Sequence, residues 1–251
     1  MNTVARPVER NSPVSAWGQI ARQLRAQIEA GVLAPGAQLP TEHELAEQFG
    51  VSRITIRQAL ASLAREELIE RRQGSGTYVS PGFEPVSHDL LLATPWRDRF
   101  VAAGHSVESV LISTRETGFP SDLLKMLAIS GIEPGDPAVM FTRAHRVDGR
   151  AIGITESWIP AETGRDLLLE PLVAGSLSQT LKERHGIETA TVENYLSSSA
   201  ADATQARILG TDPDAPLLVV VAAGWTSTGA LVDVSRSSWL GSRVRFHFRR
   251  D

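Results

Sequence analysis

The sequence predicts two domains. A small N-terminal domain has three helices and a two-stranded ribbon, and a larger α+β domain is built on an antiparallel sheet flanked by helices. Three observations carry this prediction. The first 80 residues show three helical periodicities in close succession, followed by a hairpin signal. The second part alternates seven strand-like runs with four helical patterns. Between the two lies Ser80-Pro81-Gly82-Phe83-Glu84-Pro85, a linker by composition.

Each element has its own local cause. Trp17, Ile20, Ala21, Leu24 and Ile28 form one apolar stripe of a first helix, ended by Gly31 and the Ala34-Pro35-Gly36 turn. Thr41-Glu42-His43-Glu44 has the form of a capping box, opening a second helix that buries Leu45, Ala46 and Phe49. Gly50 sits where a left-handed cap would end it. Ser52 then caps a third helix with Ile56, Leu60 and Leu63 inward, ending near Glu67. Leu68–Arg72 and Thr77–Val79 read as strands around Gln73-Gly74-Ser75-Gly76. Beyond the linker, strands are expected at 107–116, 138–147, 151–159, 189–198, 216–225, 230–239 and 243–248. Helices are expected at 121–129, 162–169, 176–185 and 200–208. Asp148-Gly149 and Ser227-Thr228-Gly229 join neighbouring strands as hairpins, which makes the sheet antiparallel. The expected domains are therefore 14–80 and 89–251, joined by a linker at 81–88.

Composition closes off several function classes. The longest strongly apolar run, Leu217–Ala223, has seven residues, against the roughly 20 that a membrane-spanning helix needs. The N-terminus has no apolar core of a secretory signal and reads as a short tail. With no cysteine there is no disulfide, thiol nucleophile or thiolate zinc site. Six scattered histidines without a paired spacing give no metal site. A cytoplasmic protein without membrane, metal or cofactor is expected. The net charge of −4 hides an uneven distribution: residues 1–80 carry nine Arg and eight Glu, and the excess of acid lies in the remainder.

The third helix carries the first chemistry. Arg53 and Arg57 are four residues apart on one face, with Thr55 beside them and Ser52 at the helix start. A helix of this kind fits the major groove of DNA, where arginine bonds guanine edges and threonine meets phosphate or a thymine methyl. Its N-terminal amides suit a phosphate, and the preceding Thr41-capped helix takes the positioning role of a helix-turn-helix. Arg72 and Gln73 stand beside two glycines that allow close backbone approach. Gly74-Ser75-Gly76 is no nucleotide loop, because a strand and not a helix follows it.

LPTE, FGVSR, TIRQAL and QGSGTYV occur in this order within residues 14–80. The segment resembles the winged helix-turn-helix of the GntR superfamily of bacterial transcription regulators. The resemblance implies that Arg53, Thr55 and Arg57 read an operator and that the wing around Gly74 and Gly76 enters the minor groove. Thr41, Ser52, Arg72, Gln73 and Thr77 complete the expected DNA-binding set. His43 stands where some members carry a DNA-contacting arginine.

Residues 89–251 resemble the effector domain of the HutC-type branch, the UTRA domain. The resemblance rests on Pro137–Gly149, Glu156-Ser157-Trp158-Ile159-Pro160 and Asp233–Trp239. It implies a chorismate-lyase-like antiparallel sheet with helices, a small-molecule pocket and a dimer interface. By the same resemblance the pocket would be formed by Arg143, His145, Glu156, Ser176, Ser178, Asp233 and Trp239. His145 replaces a second arginine, Ser178 a tyrosine, Asp233 a glutamate and Trp239 a tyrosine. Leu240-Gly241-Ser242-Arg243 stands for the family's Arg-Gly-Asp-Arg. These departures point away from a sugar-phosphate and toward an apolar or less anionic effector.

Two function classes follow. The first is a homodimeric, effector-responsive repressor that binds double-stranded operator DNA and is released by a small molecule. The second is an enzyme on a chorismate-lyase-like sheet, with Glu156, Asp233, His145 and Arg143 as an acid–base group. Nothing in their spacing demands catalysis, so the expectation is a regulator and no enzyme.

Overall fold

A computed structural model describes residues 6–9, 11–80, 86–89, 96–168 and 171–247. The chain divides into two units, residues 1–84 with 210–212 and residues 85–209 with 213–251.

In the first unit, helices α1 (Ala16–Glu29), α2 (Glu42–Phe49) and α3 (Arg53–Arg65) precede strands β1 (Ile69–Arg72) and β2 (Gly76–Val79). The apolar stripes of the three helices meet in one core that holds Ile20, Leu24, Leu45, Phe49, Ile56, Leu60 and Leu63. Truncating a buried leucine such as Leu60 to alanine costs about 2–5 kcal/mol, enough to threaten so small a core. Arg25 donates from Nε and Nη2 to the Glu66 carboxylate at 2.9 and 2.6 Å, tying α1 to the end of α3. The ribbon pairs Ile69 with Val79 and Arg72 with Gly76, antiparallel. Residues 37–39 run beside it: Val79 N–H donates to Ala37 O and Leu39 N–H to Thr77 O, both at 2.8 Å.

The second unit contains β3 (Val86–Asp89), α4 (Trp96–Ala102), β4 (Val107–Gly118), α5 (Ser121–Met126), β5 (Pro137–Val147) and β6 (Arg150–Pro160). After these come α6 (Ala161–Gly164), α7 (Leu177–His185), β7 (Thr191–Ala200), α8 (Ala203–Leu209), β8 (Pro216–Trp225), β9 (Leu231–Leu240) and β10 (Val244–His247). Six strands form an antiparallel sheet in the order β4-β5-β6-β9-β8-β7. Successive residues of a strand point to opposite faces, and the central strands β5, β6, β8 and β9 have packed residues on one face or both, while β7 is exposed along its length. On one, Met140, Ile154, Trp158, Val221 and Val234 pack with Leu123 of α5 and Leu209 of α8. On the other, Val139, Phe141 and Ile159 pack with Leu177 and Leu181 of α7.

The structure differs from expectation in four places, the first being helix α4 (Trp96–Ala102), which no sequence pattern had marked. Strand β3 begins at Val86, inside the stretch 81–88 taken as a linker, runs on to Asp89 and pairs in parallel with β10; residues 81–85 lie outside the described residues. A four-residue strand paired far away in sequence leaves no local signal. The helix expected over 162–169 is α6 followed by a 3₁₀ turn at Asp166–Leu168, and residue 169 lies outside the described residues. The helix expected from 200 begins at Ala203, because β7 runs on to Ala200 and Asp202 Oδ1 accepts from Thr204 and Gln205 N–H at 2.7 and 2.8 Å.

Candidate functional site

The first candidate surface is the start of α3. The turn before it is tight because Gly50 takes a left-handed conformation (φ 63°, ψ 38°), closed by hydrogen bonds to the carbonyls of Ala46 and Glu47. On its far side Ser52 Oγ accepts the Thr55 N–H at 3.2 Å. Thr41 caps α2 in the same way, its hydroxyl accepting from Glu44 N–H while the Glu44 carboxylate accepts from Thr41 N–H at 2.7 Å. With Ile56, Ala59, Leu60 and Leu63 buried, α3 presents Arg53, Ile54 and Arg57 to solvent. Ile54 is 69% exposed, more than any other large apolar residue among those described.

Glu42, at the start of α2, organises this face. Its carboxylate accepts from Arg57 Nη2 at 3.1 Å and meets Arg71 Nη2 of β1 at 3.6 Å. The hydrogen bond from Arg57 holds the Glu42 carboxyl below its ordinary range, and Arg71 and Arg53 add to the effect. Cations from α3 and the ribbon are thus gathered around one carboxylate. At the ribbon tip, the Arg72 guanidinium bonds Glu70 at 2.5 Å and lies 4.5 Å from the Tyr78 ring centroid. Gly74 (φ 74°) and Gly76 (φ 125°) use backbone open to glycine, and a Cβ on Gly76 would come within 2.7 Å of Gln38 Nε2. Gln73 is exposed and Thr77 half-buried beside them.

The second candidate is a cavity of about 190 Å³ in the larger unit. Strand alternation aims Arg143 and His145 of β5 into it, together with Thr155 and Ser157 of β6 and Asp233, Ser235 and Ser237 of β9. Ser109 of β4, Thr189, and Trp96 and Arg97 of α4 close other sides. Ser176 caps α7 by accepting the Gln179 N–H at 3.3 Å, so the start of this helix, with Leu177 and Ser178, also faces the cavity.

Its charged side chains Arg97, Arg143 and Asp233 are half-buried. Arg143 Nη2 donates to Ser157 Oγ at 2.8 Å. Burial brings the Arg143 guanidinium down to about 10, against the attraction of Asp233. Burial also pushes the Asp233 carboxyl up to about 6, against Arg143 and a hydrogen bond from Ser157. His145 is held well below its ordinary value by burial, then by Arg143 and Arg97, and is therefore neutral. Its Nδ1 lies 3.0 Å from Ser109 Oγ and its Nε2 2.8 Å from Thr155 Oγ1, which lies 2.8 Å from Ser237 Oγ.

The residues expected in a pocket divide. Arg143, His145, Ser176, Ser178 and Asp233 line the cavity; Glu156 and Trp239 do not. Glu156 lies between Thr155 and Ser157 and so points to the opposite face of the sheet, next to Arg236 in register. Trp239 stacks behind His145 at 5.6 Å between ring centroids and crowds Gly153, where a Cβ would approach within 2.6 Å. It shapes the wall without forming the lining. Sequence reasoning missed Trp96, Arg97, Ser109, Thr155, Ser157, Thr189, Ser235 and Ser237. Eight Ser and Thr residues line the cavity beside Trp96, Leu177, Leu181 and Val232, so its wall is polar and apolar in turn. Among the described residues no cluster of three or more His, Cys, Asp or Glu is placed to hold a metal, and no helix is long and apolar enough to cross a membrane.

A capped helix-turn-helix with a ribbon, and a sheet domain with a polar cavity, define a class: a DNA-binding regulator with a small-molecule domain. Comparison with known proteins agrees. Residues 17–79 match the family of bacterial regulatory proteins, gntR family, and residues 102–245 match the UTRA domain. The chain is 31% identical over 242 residues to the HTH-type transcriptional repressor NagR of Bacillus subtilis, covering 95% of this chain and 96% of that one. It is 28% identical over 230 residues to the mannosyl-D-glycerate transport/metabolism system repressor MngR of Escherichia coli, covering 92% and 93% of the two chains. The crystal structure of PhnF from Mycobacterium smegmatis shares the fold, with a TM-score of 0.61 at 24% identity over 92% of this chain and 99% of that one. The chain belongs to the GntR family of transcription regulators, with a UTRA domain following its winged helix-turn-helix. It is a transcription regulator.

Proposed function

We propose that the protein is a cytoplasmic, homodimeric repressor of the HutC-type branch, released from its operator when a small polar molecule fills the cavity. The observation that carries the DNA side is the solvent-facing set Ser52, Arg53 and Arg57, opposite the buried stripe of α3. Thr55, with its amide capped by Ser52, stands beside them. In this reading Arg53 and Arg57 bond guanine edges, and Thr41, Ser52 and Thr55 hold phosphates near the helix starts. Arg72, Gln73, Gly74, Gly76 and Thr77 follow the minor groove. NagR and MngR are named as repressors, which favours repression here.

Two-fold assembly is supported by β7, an edge strand whose ten residues are all exposed and which shows Val192, Tyr195 and Leu196 to solvent. Left uncovered, such an edge invites association with another chain, and a second copy would give the symmetry that a pseudo-palindromic operator matches. Effector binding must favour one arrangement of the dimer over another. A coupling of about 1–3 kcal/mol weakens operator binding roughly 5–150-fold.

An electrophoretic shift with the DNA upstream of the protein's own gene tests the reading. A specific shift at moderate salt, made by a dimer, is expected; binding no tighter than to random duplex counts against it.

A further inference from the structure

We propose that Ile54 is a specificity-determining residue of the winged unit, and that it reads the 5-methyl group of a thymine in the major groove of each operator half-site. This rests on α3 being the reading helix, and goes further by naming a base and a side chain outside the expected DNA-binding set.

Ile54 stands at the centre of the exposed face of α3. It lies nine residues before Leu63, about two and a half turns, so the two side chains leave the helix on opposite sides. Leu63 is fully buried, whereas Ile54 is 69% exposed and is not among the side chains that pack in the core. Arg53, Arg57, Gln58 and Ala61 surround it on the outer face, all exposed. The fold gains nothing from a large apolar side chain here. A β-branched residue is also a poorer helix former than alanine or arginine.

Charge decides what covers it. Arg53, Arg57 and Arg71 all act on the one Glu42 carboxylate, so positive charge is in surplus around Ile54. The apolar core of a protein interface is depleted of charge and would leave these guanidiniums unanswered. A polyanion answers them. On duplex DNA the phosphates and most base edges are polar, and the apolar group displayed in the major groove is the thymine methyl. A helix that sets arginines beside an isoleucine therefore suits a groove in which a thymine neighbours the guanines that the arginines bond. Cytosine at the same place would present an amino donor that isoleucine cannot accept, stripped of water and left unpaired.

Anisotropy titrations of the full-length protein test this, on the DNA upstream of its own gene. Uracil replaces one thymine at a time, which removes the methyl group and leaves base pairing intact. One thymine in each half-site should show a loss of about threefold to fivefold in the wild type, the worth of one buried methyl group. Ile54→Ala should bind thymine and uracil alike at that position, and Ile54→Val should keep part of the penalty. Because the side chain lies outside the core, Ile54→Ala should melt as the wild type does. A specific site at which no thymine methyl matters would overturn the proposal and leave the operator-binding reading standing. A uracil penalty equal in wild type and Ile54→Ala would do the same. Binding no tighter than to random duplex would overturn both. Loss of self-association in Ile54→Ala would assign the side chain to a protein contact and overturn the proposal.

Discussion

Arginine does opposite work in the two units. On the winged unit Arg57, Arg71 and Arg72 lie at the surface, each resting on a carboxylate of its own domain. Such pairs in water are worth little, about 0–1 kcal/mol, and DNA phosphates or bases can displace them at small cost. In the cavity Arg143 is half-buried, bonded to a hydroxyl by Nη2, with its Nε shut away from solvent and without a hydrogen-bond partner among the described residues. A surface built for exchange can be rebuilt on each binding event. On the function proposed above, the cavity instead holds its polar groups in place before a ligand arrives. The comparison teaches that exposure separates the two roles where residue type alone does not.

The largest expected effect lies in the cavity. Arg143→Ala should abolish operator release while operator affinity in the absence of ligand stays within about threefold, because the substitution lies outside the winged unit. A filter-binding titration with and without effector measures it, and retained release would remove Arg143 from the site.

Next is Asp233→Asn. The Asp233 carboxyl titrates at about 6 against an ordinary value of 3.8, so the folded state holds the proton more tightly than the unfolded state. Its burial costs nothing below about pH 4, and the penalty grows between 4 and 6 and is full above 6. The asparagine variant should therefore be more stable by about 1–2 kcal/mol at pH 7.5 and nearly equal at pH 4. His145 has the opposite slope, losing stability as pH falls below 6.5, but contributes to both proteins alike. Thermal melts across pH provide the check, and an asparagine variant that melts lower at pH 7.5 would contradict it.

The smallest effect belongs to the wing. Arg72→Ala should weaken specific and random duplex nearly equally and reduce the slope of log affinity against log salt by about 1. An unchanged slope would place Arg72 away from the phosphates.

The same contrast explains what the sequence revealed. The winged unit was legible because its signals are local: the Thr41–Glu44 box, the left-handed Gly50 and the Ser52 cap each lie within a few residues of the element they define. The cavity was legible only in part. Arg143, Ser176, Ser178 and Asp233 follow from family resemblance and line it. Glu156 was misplaced because β6 is buried on both faces, and with no polar–apolar alternation its phase cannot be read. Trp96 and Arg97 were invisible because their place depends on how α4 packs against β4 and β5, a long-range outcome with no periodicity in a seven-residue helix.

The most direct test of the account is the ratio of operator to random-duplex affinity in Arg57→Ala, measured by competition at fixed salt. The reading of α3 predicts a fall of about 1–3 kcal/mol in discrimination, roughly 5–150-fold. A ratio equal to that of the wild type would mean that this helix does not read the bases.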